Sequence, residues 1–201
     1  MGHINRIGAL AALGFSLALM AGAQAAPFLP GGERTTQPVG HYELCQKRPA
    51  ECEQATAKRA PVELTRDLWA TIVDVNNLVN TMVTPRTDWQ IWGVEERWSY
   101  PVDGVGDCED YVLEKRRQLM KAGMAPGSLL ITVVRQPNGD GHAVLTVRTS
   151  LGDFVLDNLE PRVLAWDDTP YQFLKRQSER NSGVWISIGD DRNMLVGSVK
   201  K

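Results

Sequence analysis

Cys108 opens the stretch CEDYVLEKRRQL, and Gly104, Gly106 and Asp107 lie just before it. A cysteine at a helix start is well placed to ionise, because free backbone N–H groups and the helix dipole favour the thiolate. Such a thiolate becomes a working nucleophile only with a base to take its proton and a third group to orient the base. Of the three histidines, His3 is near the start of the chain and His41 sits in a Pro- and Gly-rich segment. His142 opens a β-patterned run just after the turn sequence PNGDG. Asp157 interrupts the apolar run FVLDNL, where a carboxylate is costly unless it has a partner. Cys108, His142 and Asp157 are thus the candidate nucleophile, base and orienting acid. A buried, inert Cys108 stays open as the alternative, since cysteine often serves as a small core residue.

The elements that must position these groups can be read from pattern. Asp107 suits an N-cap, Glu109 and Asp110 suit the first turn, and Lys115, Arg116, Arg117 and Lys121 gather toward the end before Gly123. That ordering predicts a helix over 108–122. From Pro61 to Val83, Leu64, Leu68, Ile72, Val75, Val79 and Met82 recur at spacings of three and four, the pattern of a second helix ended by Pro85. LLITVVRQ (129–136), HAVLTVRT (142–149) and FVLDNL (154–159) read as successive antiparallel strands. WDDTPYQFLKRQ suggests one short helix and VWISIGD a closing strand. The fold class is α+β, with the nucleophile's helix packed on an antiparallel sheet.

Register decides whether His142 meets Asp157. A turn centred on Leu151-Gly152 sets Asp157 opposite Thr146, and one centred on Thr149-Ser150 sets it opposite His142. Either way the two share a face while Asn158 takes the other, and the register itself stays open.

The first residues carry Arg6, an apolar run from Ile7 to Met20 and Ala23-Gln24-Ala25, the order of a secretory signal peptide over 1–25. The apolar run is shorter than the roughly 20 residues a spanning helix needs, so an exported chain with no membrane insertion after processing is expected. The formal net charge of −2 offers nothing to nucleic acid or an anionic membrane. In an oxidising compartment Cys45 and Cys52 are expected to pair, leaving Cys108 as the odd thiol. Residues 26–60 then form a largely extended N-terminal arm with that disulfide, and 61–201 the main domain. Between them and the Cys108 helix, Trp89, Trp92 and Trp98 suit either core packing or a substrate groove.

GDCEDY, followed by GHAVLTV and FVLDNL, resembles the bacterial transglutaminase-like cysteine proteinases of the LapG type. The likeness extends to the Trp-rich connector, the YELC…C segment and TPYQFLKRQSERNSGVW. It implies a papain-like or transglutaminase-like core with a Cys108–His142–Asp157 triad. It also implies a periplasmic, calcium-dependent endoprotease that cuts the N-terminal region of a large surface adhesin and so releases biofilm cells. The implied partner is the periplasmic domain of a membrane receptor that senses cyclic di-GMP. Asp107 and Glu109 are the implied calcium ligands, with Asp110 added because hard oxygens at this density suit that ion. A bound cation would also offset the like-charge repulsion these acids exert on a thiolate. A protein-glutamine acyltransferase, a cell-wall peptidase of the NlpC/P60 type (which commonly carries DCSGF where this chain has DCEDY) and a non-enzymatic calcium-dependent binding module remain alternatives.

Overall fold

The computed structural model describes residues 28–55 and 61–190; the expected leader lies outside them. The chain enters through β1 (Gly31–Thr35) and α1 (Val39–Lys47), then runs into α2 (Arg66–Met82). A short β2 (Thr84–Pro85), α3 (Asp88–Trp92) and β3 (Val105–Gly106) lead into α4 (Cys108–Lys121). Strands β4 (Leu129–Arg135), β5 (Gly141–Thr149), β6 (Gly152–Leu156), β7 (Leu164–Ala165), β8 (Gln172–Ser178) and β9 (Asn181–Ile188) complete it.

Seven strands form one antiparallel sheet in the order β1-β9-β8-β4-β5-β6-β7. Its inner strands β4 and β5 alternate strictly, so the sheet has two buried faces. Leu129, Ile131, Ala143, Leu145 and Val147 pack with Val112, Leu113 and Leu119 of α4. Val134, Val144 and Val155 gather with Trp166, Tyr171, Phe173 and Ile188 in a second cluster. Each buried Val, Leu, Ile or Phe among them contributes roughly 1.5–3 kcal/mol. On the outer side of α4, Tyr111 meets Val79 of α2 and Val83 just past its end. This is the α+β arrangement expected, helices laid on a large antiparallel sheet as in papain-like and transglutaminase-like cores.

Three local expectations change. The second predicted helix starts at Arg66, not Pro61, because the Thr65 hydroxyl accepts the Leu68 N–H at 3.1 Å and caps the helix there. The segment expected as an extended arm holds both β1, which pairs with β9, and α1. QFLKRQ is a strand and not a helix; only a single 3₁₀ turn occupies Trp166–Asp168. The β4–β8 pairing shifts register between Val133 and Val134. That bulge breaks the two-residue alternation by which a strand is recognised.

Candidate active site

The loop before α4 is built to hold Cys108 in place. Asp103 and Gly104 both take positive φ, 53° and 71°, and Val105 N–H closes on Val102 O at 3.1 Å. This is the Asp-Gly turn geometry that side chains beyond glycine, Asn and Asp rarely adopt. At Gly106 a Cβ would stand 2.7 Å from Asp110 Cβ, so only glycine lets the loop pass this close. Cys108 follows as the first residue of α4, with Asp107 at the N-cap position.

His142 arrives on β5, paired with Val134 of β4. It shares a face of the strand with Val144, while Ala143 points to the other. Cys108, His142, Gly141, Ala143, Glu109, Trp98, Glu96, Val133, Pro38 and Lys175 line one cavity of about 260 Å³. The Ala143 backbone N–H also donates to the Cys108 sulfur. A larger hollow of about 630 Å³ lies beside the later turns of α4, with Arg48, Tyr100 and Arg117 among its lining residues and none of these three groups.

The β5–β6 register pairs Leu145 with Leu156 and Thr149 with Gly152, a turn centred on Ser150-Leu151 that lies between the two alternatives. Asp157, one residue past β6, falls diagonally beyond Val144 toward His142. His142 Nε2 lies 2.8 Å from Asp157 Oδ1. The Leu159 N–H donates to the same oxygen at 3.0 Å, and the Tyr171 hydroxyl donates to Oδ2. Burial alone would raise the Asp157 pKa, but the His142 hydrogen bond and charge, then Leu159 N–H and Tyr171, hold it below the usual value. An ionised Asp157 requires Nε2 to carry the imidazole hydrogen, which leaves Nδ1 as the proton acceptor. Tyr171 is not among the residues the sequence pattern singles out, because it lies just before β8 in a run whose pattern suggests a helix.

Burial, then the Glu109 charge, push the Cys108 thiol well above its ordinary pKa, although the Ala143 N–H opposes this. The thiol donates to Glu109 Oε2 at 3.2 Å. The helix start alone therefore does not ionise this sulfur.

The crowding acids divide into two groups. Asp88, Asp107 and Glu109 bring one carboxylate oxygen each to within 4.8 Å of the others. One oxygen of each is committed: Asp88 Oδ2 accepts the Arg97 N–H, Asp107 Oδ2 the Asp88 N–H, and Glu109 Oε2 the Cys108 thiol. The other oxygen of each, Asp88 Oδ1, Asp107 Oδ1 and Glu109 Oε1, is buried and finds no hydrogen-bond donor among the described residues. Burial, chiefly, raises Asp88 to about 6 and Glu109 to about 9, and Asp107 also upward. Asp107 occupies the N-cap position but makes no side-chain cap hydrogen bond. Asp110 stands apart: its Oδ1 accepts Ser99 N–H at 2.8 Å and the Ser99 hydroxyl at 3.3 Å. Asp88 was missed because it sits nineteen residues from Asp107 in the Trp-rich connector, where its place beside a capping Thr87 explains it locally.

The profile of the bacterial transglutaminase-like cysteine proteinases matches residues 31–193. The chain belongs to this family and is a cysteine endopeptidase. Among solved structures, calcium-bound LapG of Legionella pneumophila is similar at 25% identity and a TM-score of 0.51, covering 59% of this chain and 68% of that one. A second structure of that protein gives 27% identity, the same TM-score of 0.51 and coverage of 63% and 73%. Its EGTA-treated form gives 26%, 0.51, and 63% and 74%. Comparison with curated proteins gives no match. The Cys45–Cys52 disulfide is present, with Cα atoms 5.6 Å apart.

Proposed function

We propose that this endopeptidase works through Cys108, His142 and Asp157 and needs calcium. With Cys45 and Cys52 bonded to each other, Cys108 is the thiol left for the chemistry that defines the family. The observation that carries the assignment is the 2.8 Å His142–Asp157 contact at the wall of the cavity that also holds Cys108. His142 Nδ1 takes the thiol proton, and sulfur attacks the peptide carbonyl carbon. The Cys108 backbone N–H at the start of α4 is the candidate donor to the developing oxyanion. The tetrahedral species collapses, the C–N bond breaks, and His142 returns the proton to the leaving amine. Water, deprotonated by His142, then resolves the thioester to a carboxylic acid. Asp157 stays ionised throughout and keeps the hydrogen on Nε2.

The three unpaired carboxylate oxygens of Asp88, Asp107 and Glu109 fit a hard divalent cation. When bound, calcium would supply positive charge that lowers the cost of a thiolate beside Glu109.

The substrate we assign is the N-terminal region of a large surface adhesin, with release of biofilm cells as the outcome. The chain acts in the periplasm, held in check by the periplasmic domain of a receptor for cyclic di-GMP. Family membership and the likeness to LapG support this reading. The test is incubation of the purified protein with an adhesin N-terminal region in calcium or in EGTA. Cleavage in calcium alone, absent from Cys108→Ala, is expected; cleavage by Cys108→Ala would overturn the nucleophile, and cleavage in EGTA the metal. Incorporation of a labelled amine into the acyl product in place of hydrolysis would instead mark an acyltransferase.

A further inference from the structure

The hollow of about 630 Å³ beside the later turns of α4 takes no part in the mechanism above, yet its charges do not balance. Three cations, Arg48, Arg117 and Lys121, and two acids, Glu51 and Glu114, line it. Both acids are already engaged. Glu114 accepts Arg117 Nε and Nη2 at 2.8 and 2.7 Å and the Gln118 amide at 2.6 Å. Glu51 accepts the Tyr100 hydroxyl at 2.7 Å and faces Arg116 at 4.0 Å. The Arg48 guanidinium and the Lys121 ammonium find no ion-pair partner among the described residues. Arg48 and Arg117 each lie over the Tyr100 ring, both 5.4 Å from its centre, an arrangement that holds two guanidinium groups around one aromatic floor. The Cys45–Cys52 disulfide closes the loop that carries Arg48 and Glu51, so this wall is set before any ligand arrives. Two uncompensated cations in a concave site draw anions.

The hollow and the catalytic cavity lie at the two ends of the same pair of segments. Pro38, just before α1, lines the catalytic cavity, and Arg48, just after α1, lines the hollow. The connector runs in the same order, with Glu96 and Trp98 at the cavity and Tyr100 and Pro101 at the hollow. A Cβ on Gly40 would collide with the Trp98 indole, so α1 lies directly on this connector. The nine residues of α1 span about 14 Å, a distance an extended peptide covers in about four residues.

We propose that the hollow is a substrate subsite for acidic side chains, Asp or Glu, about four residues from the bond that is cut. This rests on the Cys108–His142–Asp157 protease reading above. Arg48 and Lys121 supply the attraction, Arg117 keeps Glu114 neutralised, and Tyr100 forms the floor.

Two measurements test it, and both use variants of exposed side chains whose replacement leaves the core intact. The first needs no cleavage: calorimetric titration of the calcium-loaded protein with acetyl-tetraglutamate amide, acetyl-tetraglutamine amide and inorganic phosphate. In about 50 mM salt the glutamate peptide should bind and the glutamine peptide should not, and about 0.5 M salt should abolish binding. Arg48→Gln combined with Lys121→Gln should weaken binding about tenfold, and Arg48→Lys should keep it. Equal binding of the two peptides, equal binding by the double variant, or stronger binding of phosphate would overturn the subsite. The second is cleavage of the adhesin region, native or with the Asp and Glu residues flanking its cut changed to Asn and Gln. On the native region the double variant should lose about tenfold in kcat/KM, through KM, and on the neutralised region it should match wild type. An equal loss on both regions would also overturn the proposal. A wild type that binds the glutamate peptide but cuts neither region would fell the adhesin assignment and leave the subsite in place.

Discussion

His142 Nε2 and Asp157 Oδ1 meet at 2.8 Å although Asp157 lies outside strand β6 and is not the cross-strand partner of His142. The contact is a diagonal one, completed by the Leu159 N–H and the Tyr171 hydroxyl, which lock the carboxylate from two further directions. Orientation of the imidazole therefore depends on a loop and on strand-end packing as much as on the hairpin.

Asp157→Asn should leave the fold intact and lower kcat by about 10²- to 10⁴-fold, since the amide favours the wrong imidazole tautomer. Tyr171→Phe removes one donor from the carboxylate and should cost about tenfold, with KM unchanged. Steady-state kinetics on the cleaved adhesin region, beside circular dichroism of each variant, read both. A fully active Asp157→Asn would exclude the assigned orienting role.

Calcium should stabilise the protein more at pH 8 than at pH 5. Asp88 and Glu109 are raised to about 6 and about 9 and Asp107 upward, chiefly by burial. A raised folded pKa gives stability that is fully present below the ordinary carboxylate value and lost as pH rises through the folded one, here from 3.8 to about 6 for Asp88 and from 4.5 to about 9 for Glu109. The calcium-free protein thus weakens over that window, where the carboxylates become free to bind the ion. At calcium a hundredfold above its dissociation constant, the gain is about 3 kcal/mol, or roughly 5–10 °C in Tm. Identical melting curves in calcium and EGTA at pH 8 would refute the site.

Asp88→Asn and Asp110→Ala should separate the two sets of acids. The first removes a charged oxygen from the cluster and should raise the calcium needed for half-maximal activity at least about tenfold. The second removes the acceptor for the Ser99 N–H and should cost about 1–3 kcal/mol of stability with the calcium midpoint unmoved. Calcium titrations and thermal melts would show the reverse assignment just as clearly.

His41 should make the fold acid-sensitive. Its ring lies edge-on to Trp98 and Trp185 at 5.4 and 5.3 Å, and the Trp185 indole N–H donates to Nδ1 at 3.3 Å. Burial, then the Arg116 charge, lower it from 6.5 to about 4. A depressed histidine pKa means that the unfolded chain takes up the proton first. Stability is thus lost as pH falls from 6.5 toward 4, by about 2 kcal/mol at pH 5. Relative to wild type in the same buffers, His41→Gln should lose roughly 4–8 °C less in Tm between pH 7 and pH 5. An equal loss in both proteins would show that His41 is protonated in the fold.

Local chemistry made much of this protein legible in its sequence. The cap-to-dipole ordering around Cys108 announced α4 within a residue, and alternation marked β4, β5 and β6, because both signals arise from neighbours along the chain. The residue types of Cys108, His142 and Asp157 named the chemistry. Tertiary structure alone decided how they meet. The hairpin register, the bulge that hid β8, the arrival of Asp88 beside Asp107 and Glu109, and the Tyr171 hydroxyl on Asp157 all depend on contacts between distant segments. Such contacts are set by packing and by the cost of leaving buried polar atoms unpaired, and neither is carried by the spacing of residues in one dimension.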